Sequence, residues 1–341
     1  MTSNTHPTPT LLTLGAVLVA SLAFAGNGSS AGTSPAEAKS VRVAFFASSL
    51  ANTYVPAQVQ GAKASARKRG AATTVFDAVY DASKQLTQVQ DAITSGKFDA
   101  FVISAIDGNA LVPQIKKAIA AGIKVACISA PCGPDLTSLK PQVAKLTVHV
   151  GHSFPASGRL MGKQIVAACG TRDPCKVVFV PGLYSYPADK IRRDAVHATL
   201  DRYRAIEIVS EQEGKYSAES ARVAMQNILQ AHRDVNVVAT TGDQMAFGIE
   251  QAIKAAGVNG KVRIIGNGAS ALGVSAVRQG RWYATLVLLP YTEGRVATDH
   301  VVRAARGVVG LSTSVDVERL SPIGPVVTKA TVGRFKAEWR G

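Results

Sequence analysis

Four cysteines are the side chains of this 341-residue chain whose spacing first suggests chemistry. They are Cys127, Cys132, Cys169 and Cys175, and their spacing matches none of the Cys/His patterns of zinc sites. An even number of cysteines in an exported chain fits disulfides. Cys169 is expected to end a helix and Cys175 to open the next strand, which favours pairing between them. Cys127 either pairs with Cys132 or stays a buried thiol inside an apolar strand.

Other catalytic or cofactor motifs are weak. His149 and His152 lie three residues apart at a strand end, a spacing more typical of loop histidines than of metal ligands. The chain contains no HExxH, GxSxG or Walker A sequence. Gly266-Asn267-Gly268 follows a strand and precedes a helix, but the full GxGxxG pattern is absent. We therefore expect no enzyme, no metal and no cofactor.

The elements that would position a site repeat one unit, a short apolar run, a turn and a helix with an apolar stripe. Strands are predicted at 41–47, 73–76, 100–104, 124–128, 146–150, 176–180, 206–210, 235–240, 262–266 and 283–288. Helices are predicted at 54–69, 84–95, 109–121, 156–168, 188–203, 217–231, 245–256, 271–279 and 292–306. This α/β alternation predicts two doubly wound, Rossmann-like lobes with a ligand site in the cleft, beyond the carboxyl ends of the strands.

The N-terminal region has the pattern of an export signal. Residues 11–25 form an uncharged apolar run of a length typical of a signal peptide and too short to span a bilayer. No Lys or Arg precedes this run, which departs from the usual pattern. Cleavage is expected after Ala25 or Ala38, so residues 1–38 are assigned to a signal peptide and linker. No cysteine lies there, which argues against a lipid anchor.

The net charge of +15 raises the question of an anionic partner. Removal of residues 1–38 would leave +16, so export does not explain the excess. The longest basic run is only Arg67-Lys68-Arg69, and the other basic residues are scattered over predicted helix surfaces. This distribution indicates a solvated basic surface, and we expect no nucleic acid partner.

Short stretches along residues 41–330 resemble the type I periplasmic solute-binding proteins of ABC importers, particularly the ribose-binding group. The matching stretches, in chain order, are Asn52-Thr53-Tyr54, Gln88-Val89-Gln90-Asp91, Phe98-Asp99-Ala100, Ala121-Gly122-Ile123-Lys124-Val125, Gly158 with Gly162, Arg192 after Pro181-Gly182, Tyr216 before Met225-Gln226-Asn227, Asp243-Gln244-Met245-Ala246, Ile264-Ile265-Gly266 and Ala284-Thr285-Leu286. The resemblance implies two lobes, 39–150 plus 290–319 and 151–289 plus 320–341. They would be joined by a three-strand hinge with crossings near Gly151, Pro290 and Leu320.

The resemblance also implies ligand-binding residues in the cleft. The expected set is Asn52, Tyr54, Ser129, Arg192, Tyr216 and Asp243. Several polar positions of the family are replaced in this chain, by Ser129-Ala130, Gly242, Gly268 and Leu288. Fewer polar groups give less reason to select a pentose, so the ligand is expected to be a sugar or sugar-like solute, or one that is less hydroxylated. Arg192 suggests a carboxylate on the ligand, unless Asp189 or Asp243 already pairs with it.

The resemblance implies a monomeric substrate-binding component of an ABC transporter that captures a small solute and docks on a membrane permease. Two alternatives share the fold. A receptor could present its ligand to a membrane sensor, which the sequence does not separate from import. A repressor would need a DNA-binding headpiece, and the region before Val41 offers an apolar export segment and no arginine.

Overall fold

A computed structural model describes residues 40–258 and 260–341 of the chain. The expected signal peptide and linker, residues 1–38, lie outside the described residues. Within the described part the strands are β1 (Arg42–Ala47), β2 (Ala72–Asp77), β3 (Ala100–Ser104), β4 (Lys124–Ser129), β5 (Val148–Gly151), β6 (Cys175–Val180), β7 (Ile206–Glu211), β8 (Val237–Thr240), β9 (Arg263–Gly268), β10 (Ala284–Val287), β11 (Ser314–Asp316) and β12 (Val326–Thr328). The helices are α1 (Tyr54–Lys68), α2 (Ala82–Thr94), α3 (Val112–Ala120), α4 (Phe154–Cys169), α5 (Pro187–Leu200), α6 (Ala218–Ala231), α7 (Asp243–Ala255), α8 (Ala271–Arg278) and α9 (Pro290–Ala305). Two short 3-10 turns cover Val317–Leu320 and Val332–Arg334.

The strands form two sheets of six strands each within the described residues. The first sheet has the order β11-β5-β4-β3-β1-β2 and is parallel throughout. The second has the order β12-β10-β9-β8-β6-β7 and is parallel except for β12, which pairs antiparallel with β10. The predicted α/β class with two doubly wound lobes is confirmed.

We call the sheet of β1 to β5 and β11 with α1, α2, α3 and α9 the first lobe, and the sheet of β6 to β10 and β12 with α4 to α8 the second lobe. Both faces of each sheet are covered by helices, so the central strands are buried along their whole length, as in β3 and β8. In the described part of the chain the backbone passes between the lobes after Gly151, between Val287 and Pro290, and between Asp316 and Val326.

Two disulfides tie short segments beside the strands. Cys169, the last residue of α4, bonds to Cys175, the first residue of β6. Cys127 of β4 bonds to Cys132 in the loop that follows. Of the two alternatives for Cys127, a disulfide or a buried thiol, the structure has the disulfide.

The two helices of the first lobe that pack face to face, α1 and α9, meet at glycines. A Cβ on Gly61 would stand 1.9 Å from the carbonyl oxygen of Tyr291, and a Cβ on Gly294 would stand 1.9 Å from the carbonyl oxygen of Gln58. The backbones therefore touch at a distance that no other residue allows. This contact brings the start of α9 against the first turns of α1, next to the cleft.

Replacing Gly294 with alanine tests this close contact. In an ordinary helix interior the change stabilises a protein by about 1 kcal/mol because alanine has the higher helix propensity. Here we expect the free energy of unfolding to fall by about 1–3 kcal/mol, because the added methyl group forces the two helices apart. Urea denaturation followed by circular dichroism measures it. Gly333→Ala is the control, since a Cβ there meets nothing within 4 Å. An increase in the stability of Gly294→Ala would contradict the close packing of α1 and α9.

Candidate functional site

A cavity of about 400 Å³ lies in the cleft between the lobes, at the carboxyl ends of the strands. This volume suits a small molecule. Its lining residues come from both lobes: Ser48, Asn52, Tyr54, Val55, Tyr80, Ala82, Ser104, Ala105, Ile106, Asp107 and Ser129 from the first, and His152, Phe154, Leu183, Ser185, Tyr186, Pro187, Arg192, Tyr216, Thr241, Gly242, Gln244, Asn267, Leu288 and Trp339 from the second lobe and the segments joined to it. Asn52, Tyr54, Ser129, Arg192 and Tyr216, five of the six residues expected from the sequence, are therefore brought together at this cavity.

On the first-lobe wall, the polar atoms of Tyr54 and Ser129 are bonded to a buried carboxylate. The Oε2 atom of Glu293 accepts hydrogen bonds from the Tyr54 hydroxyl at 3.1 Å, from the Gln58 amide at 2.6 Å and from the Ser129 hydroxyl at 2.7 Å. Glu293 is fully buried in the first turn of α9, where the helix dipole favours a negative charge. Burial and the nearby Glu293 raise the pKa of the Tyr54 phenol well above its usual range, so Tyr54 stays a neutral donor.

Asn52 is similarly engaged before any ligand arrives. Its side-chain oxygen accepts hydrogen bonds from the backbone N–H groups of Tyr54 and Val55 and so caps the start of α1. Its amide nitrogen donates to the hydroxyl of Tyr80. Asn52 therefore sets the position of two tyrosines at the cavity.

On the second-lobe wall, Arg192 is paired with Asp189. The guanidinium donates to Oδ1 of Asp189 at 2.6 Å, and the Tyr216 hydroxyl donates to the same oxygen at 2.6 Å. Arg192 also lies over the ring of Phe154, 5.3 Å from its centroid. The pairing with Asp189 was one of the two alternatives left open by the sequence. Because both charges are buried and compensate each other, this wall carries no net charge from the pair.

Three lining residues hold the backbone in the left-handed region without being glycine. Ser129, Tyr80 and Tyr216 have φ angles of 59°, 63° and 51°. Such conformations cost free energy and persist where the surrounding contacts enforce them. Here those contacts are the hydrogen bonds to Glu293, Asn52 and Asp189. The cleft is thus shaped in advance by its own polar contacts.

The sixth expected ligand contact, Asp243, does not line this cavity in the structure. Asp243 is fully buried and absent from the cavity wall. Its carboxylate accepts hydrogen bonds from the backbone and hydroxyl of Ser270, both at 2.8 Å, and from the hydroxyl of Thr285 at 2.6 Å. It connects the start of α7 to β10 and to the start of α8. Burial raises its pKa to about 6, against the hydrogen bonds that lower it.

Several polar residues at the cavity were not selected from the sequence. Asn267 lies near the end of β9. Thr241 and Gln244 come shortly after β8, and His152 comes directly after β5. Within the described residues, the side-chain oxygens of Asn267, Thr241 and Gln244 and both ring nitrogens of His152 have no hydrogen-bond partner. Their position at or just after strand ends could have identified them from the sequence, because the carboxyl ends of parallel strands face the cleft. These atoms are the ones that a ligand can satisfy.

Among the residues that the structure describes, no group of three or more His, Cys, Asp or Glu side chains is placed to hold a metal ion. His149 and His152, the two histidines three residues apart, are both buried. Burial lowers the pKa of His149 to about 4, so its ring is neutral at physiological pH.

Two sheets of Rossmann-like topology form two lobes with a cavity at the facing strand ends, and among the described residues the chain passes between the lobes three times. This arrangement defines a two-lobed solute-binding protein. Residues 43–308 match the family model of the periplasmic binding protein domain. The chain belongs to this family, as the sequence motifs indicated.

Relatives and solved structures agree with this assignment. The chain is 30% identical over 231 residues to the D-ribose/D-allose-binding protein of Pseudomonas aeruginosa, covering 66% of this chain and 70% of that protein. It is 26% identical over 264 residues to the ribose import binding protein of Bacillus subtilis, covering 76% of this chain and 80% of that protein. A solved ABC transporter solute binding protein from Mycobacterium smegmatis with bound glycerol is 27% identical, with a TM-score of 0.74 over 89% of this chain and 99% of that chain. These relatives are named as binding proteins.

Replacing Asp243 with asparagine tests the buried carboxylate through pH. A carboxyl whose folded pKa is raised from 3.8 to about 6 contributes stability below pH 4 that is lost as pH rises through 6, because ionisation in the fold is disfavoured. We expect the stability of the Asn variant relative to the parent to improve by about 2 kcal/mol from pH 4 to pH 7, at 1.36 kcal/mol per pKa unit. Denaturant titration at each pH measures the difference. A difference that stays constant across this window would contradict the raised pKa.

Proposed function

We propose that this protein captures a small, neutral, polyhydroxylated solute in the interlobe cleft and delivers it to the permease of an ABC importer. We infer that the ligand is neutral because two buried charged residues at the cavity already have partners within the protein. Arg192 is compensated by Asp189, and the Oε2 atom of Glu293 accepts three hydrogen bonds from within the first lobe. A ligand carboxylate would bind to a guanidinium whose charge Asp189 already compensates, at a cost in desolvation.

Three uncharged side-chain oxygens at the cavity are left for a ligand, beside the Nε of Arg192 and the ring nitrogens of His152. The oxygens of Asn267, Thr241 and Gln244 have no hydrogen-bond partner within the described residues and lie on the second-lobe wall. Hydroxyl groups of a sugar or polyol can donate to them. The names of the relatives, which bind ribose or allose, and the glycerol in the Mycobacterium smegmatis structure support the same ligand class.

The remaining parts of the proposal follow from the family. The lobes, 39–150 plus 290–319 and 151–289 plus 320–341, close on the solute by hinge motion, and the closed form is the one that the permease recognises. Residues 1–38 direct export to the periplasm or cell envelope, without a lipid anchor. The protein acts as a monomer, binds no nucleic acid and performs no chemistry on its ligand. No helix among the described residues is long and apolar enough to span a membrane.

A comparison of neutral sugars with their acids tests the charge of the ligand. Thermal-shift assays would use D-ribose, D-allose, myo-inositol and glycerol beside D-ribonate and D-allonate. A neutral probe that saturates the site is expected to raise the stability of the folded state by about 2.7 kcal/mol at 100 times its Kd, which shifts Tm by several degrees. The acids should give smaller shifts. A larger shift with an acid than with its parent sugar would overturn the neutral ligand and favour the carboxylate alternative.

Replacing Gln244 with alanine tests the second-lobe acceptors. The side chain is half-buried at the start of α7, and no buried charge depends on it, so the unliganded protein should keep its Tm. Loss of one hydrogen bond is expected to weaken binding of the best neutral probe about 3- to 10-fold by isothermal calorimetry. Gln90→Ala on the exposed face of α2 is the matched control. Equal affinity for both variants would remove Gln244 from the site.

A further inference from the structure

The C-terminal segment brings to the cavity an aromatic side chain that lies outside every sequence motif described above. Trp339 is 7% exposed and lines the cavity. It lies 71 residues beyond Gly268 in the chain, yet its indole N–H donates to the Gly268 carbonyl oxygen at 2.8 Å. Its own carbonyl oxygen accepts from the backbone N–H of Ala271 at 2.8 Å. The tryptophan is therefore anchored to the end of β9 and the start of α8.

The same segment also touches the first lobe. The ring of Trp339 meets the ring of Tyr54 edge to face, with centroids 5.5 Å apart and an interplanar angle of 86°. Its neighbour Glu338 accepts hydrogen bonds from the backbone and the hydroxyl of Thr292 at the start of α9. Trp339 consequently stands where the two lobes meet, and its indole forms part of the cavity wall.

Two residues around Trp339, Gly268 and Leu288, have no polar side chain. Gly268 also leaves space for the indole. Gly268 has a φ of 147°, and a Cβ there would stand 2.5 Å from Cζ2 of Trp339. Residue 268 is one of the positions where the sequence departs from the polar residues of the ribose-binding group, and the indole accounts for this departure. Leu288, another such position, lines the same cavity. The indole and the leucine occupy positions from which polar side chains would otherwise bond hydroxyls.

We propose that Trp339 is a ligand-binding, specificity-determining residue that selects sugars or polyols with a deoxygenated edge. This inference rests on the proposed function. The hydroxyls of the ligand face Asn267 and Gln244, while an edge that carries hydrogen or methyl in place of hydroxyl packs on Trp339 and Leu288. A hydroxyl pressed against these two side chains would lose its hydrogen bonds to water without finding a partner.

The test compares each deoxy sugar with its parent. The probes are 5-deoxy-D-ribose with D-ribose and L-fucose with L-galactose. We expect at least one deoxy sugar to bind at least 10-fold more tightly than its parent, measured by calorimetry. In Trp339→Ala the preference should fall below threefold, whereas Trp339→Phe, which keeps an aromatic wall, should retain most of it. If Trp339 only holds the lobes together, the alanine variant will weaken both members of a pair equally and keep their ratio, which overturns the inference.

Fluorescence gives a second readout, because the chain has two tryptophans. Trp282 is buried away from the cavity wall and donates to Glu250 at 2.8 Å. In Trp282→Phe the emission therefore reports on Trp339, and we expect a saturable change with the same Kd as calorimetry. In Trp339→Phe the remaining Trp282 emission should not respond.

The outcomes separate the two proposals. If sugars raise Tm but neither the emission of Trp339 nor the deoxy preference responds, the inference about Trp339 falls and the proposed function stands. If no sugar or polyol binds, the proposed function falls and the inference falls with it.

Discussion

A single buried carboxylate oxygen organises the first lobe and its side of the cleft. Oε2 of Glu293 accepts hydrogen bonds from α1, through Tyr54 and Gln58, and from β4, through Ser129. A carboxyl group in a protein interior needs hydrogen-bond partners, since a buried polar group without one costs more than a single hydrogen bond gains. The three donors reach one oxygen in a structure where α1 and α9 are in backbone contact at Gly61 and Gly294. Helix packing, backbone strain at Ser129 and the shape of the cavity therefore depend on one another.

The second lobe also has a buried carboxylate at its wall of the cavity, which here is paired with an arginine. Asp189 is buried beneath the cavity and accepts from Arg192, Tyr216 and the backbone of Leu183. Each lobe thus uses a buried carboxylate to build its wall of the cavity. Although the chain has a net charge of +15, Arg192 is the one Lys or Arg side chain among the described residues that line the cavity. The basic residues lie mainly on helix surfaces, where they are solvated and do not determine the ligand.

The connections between the lobes carry several residues that line or support the cavity. His152 follows the first connection, Glu293 lies just after the second, and Trp339 belongs to the segment after the third. A hinge motion that opens the cleft must move these residues relative to one another. In the function that we propose, ligand binding and lobe closure are coupled by these side chains, because a ligand shifts an equilibrium only through contacts that differ between the two forms.

Periodicity and turn residues alone predicted ten strands and nine helices close to their observed bounds, because parallel strands buried on both faces and amphipathic helices leave strong local patterns. The three-residue strands β11 and β12 were missed, since so short a segment becomes a strand only by pairing with a neighbour. Motif order also located the cleft and five of its residues. Tertiary structure alone decided that Asp243 is buried, that Arg192 is paired with Asp189, and that Glu293 and Trp339 belong to the site. Tyr54 lies 239 residues from Glu293 in the chain. Such contacts arise from long-range packing, which no local pattern of residues encodes.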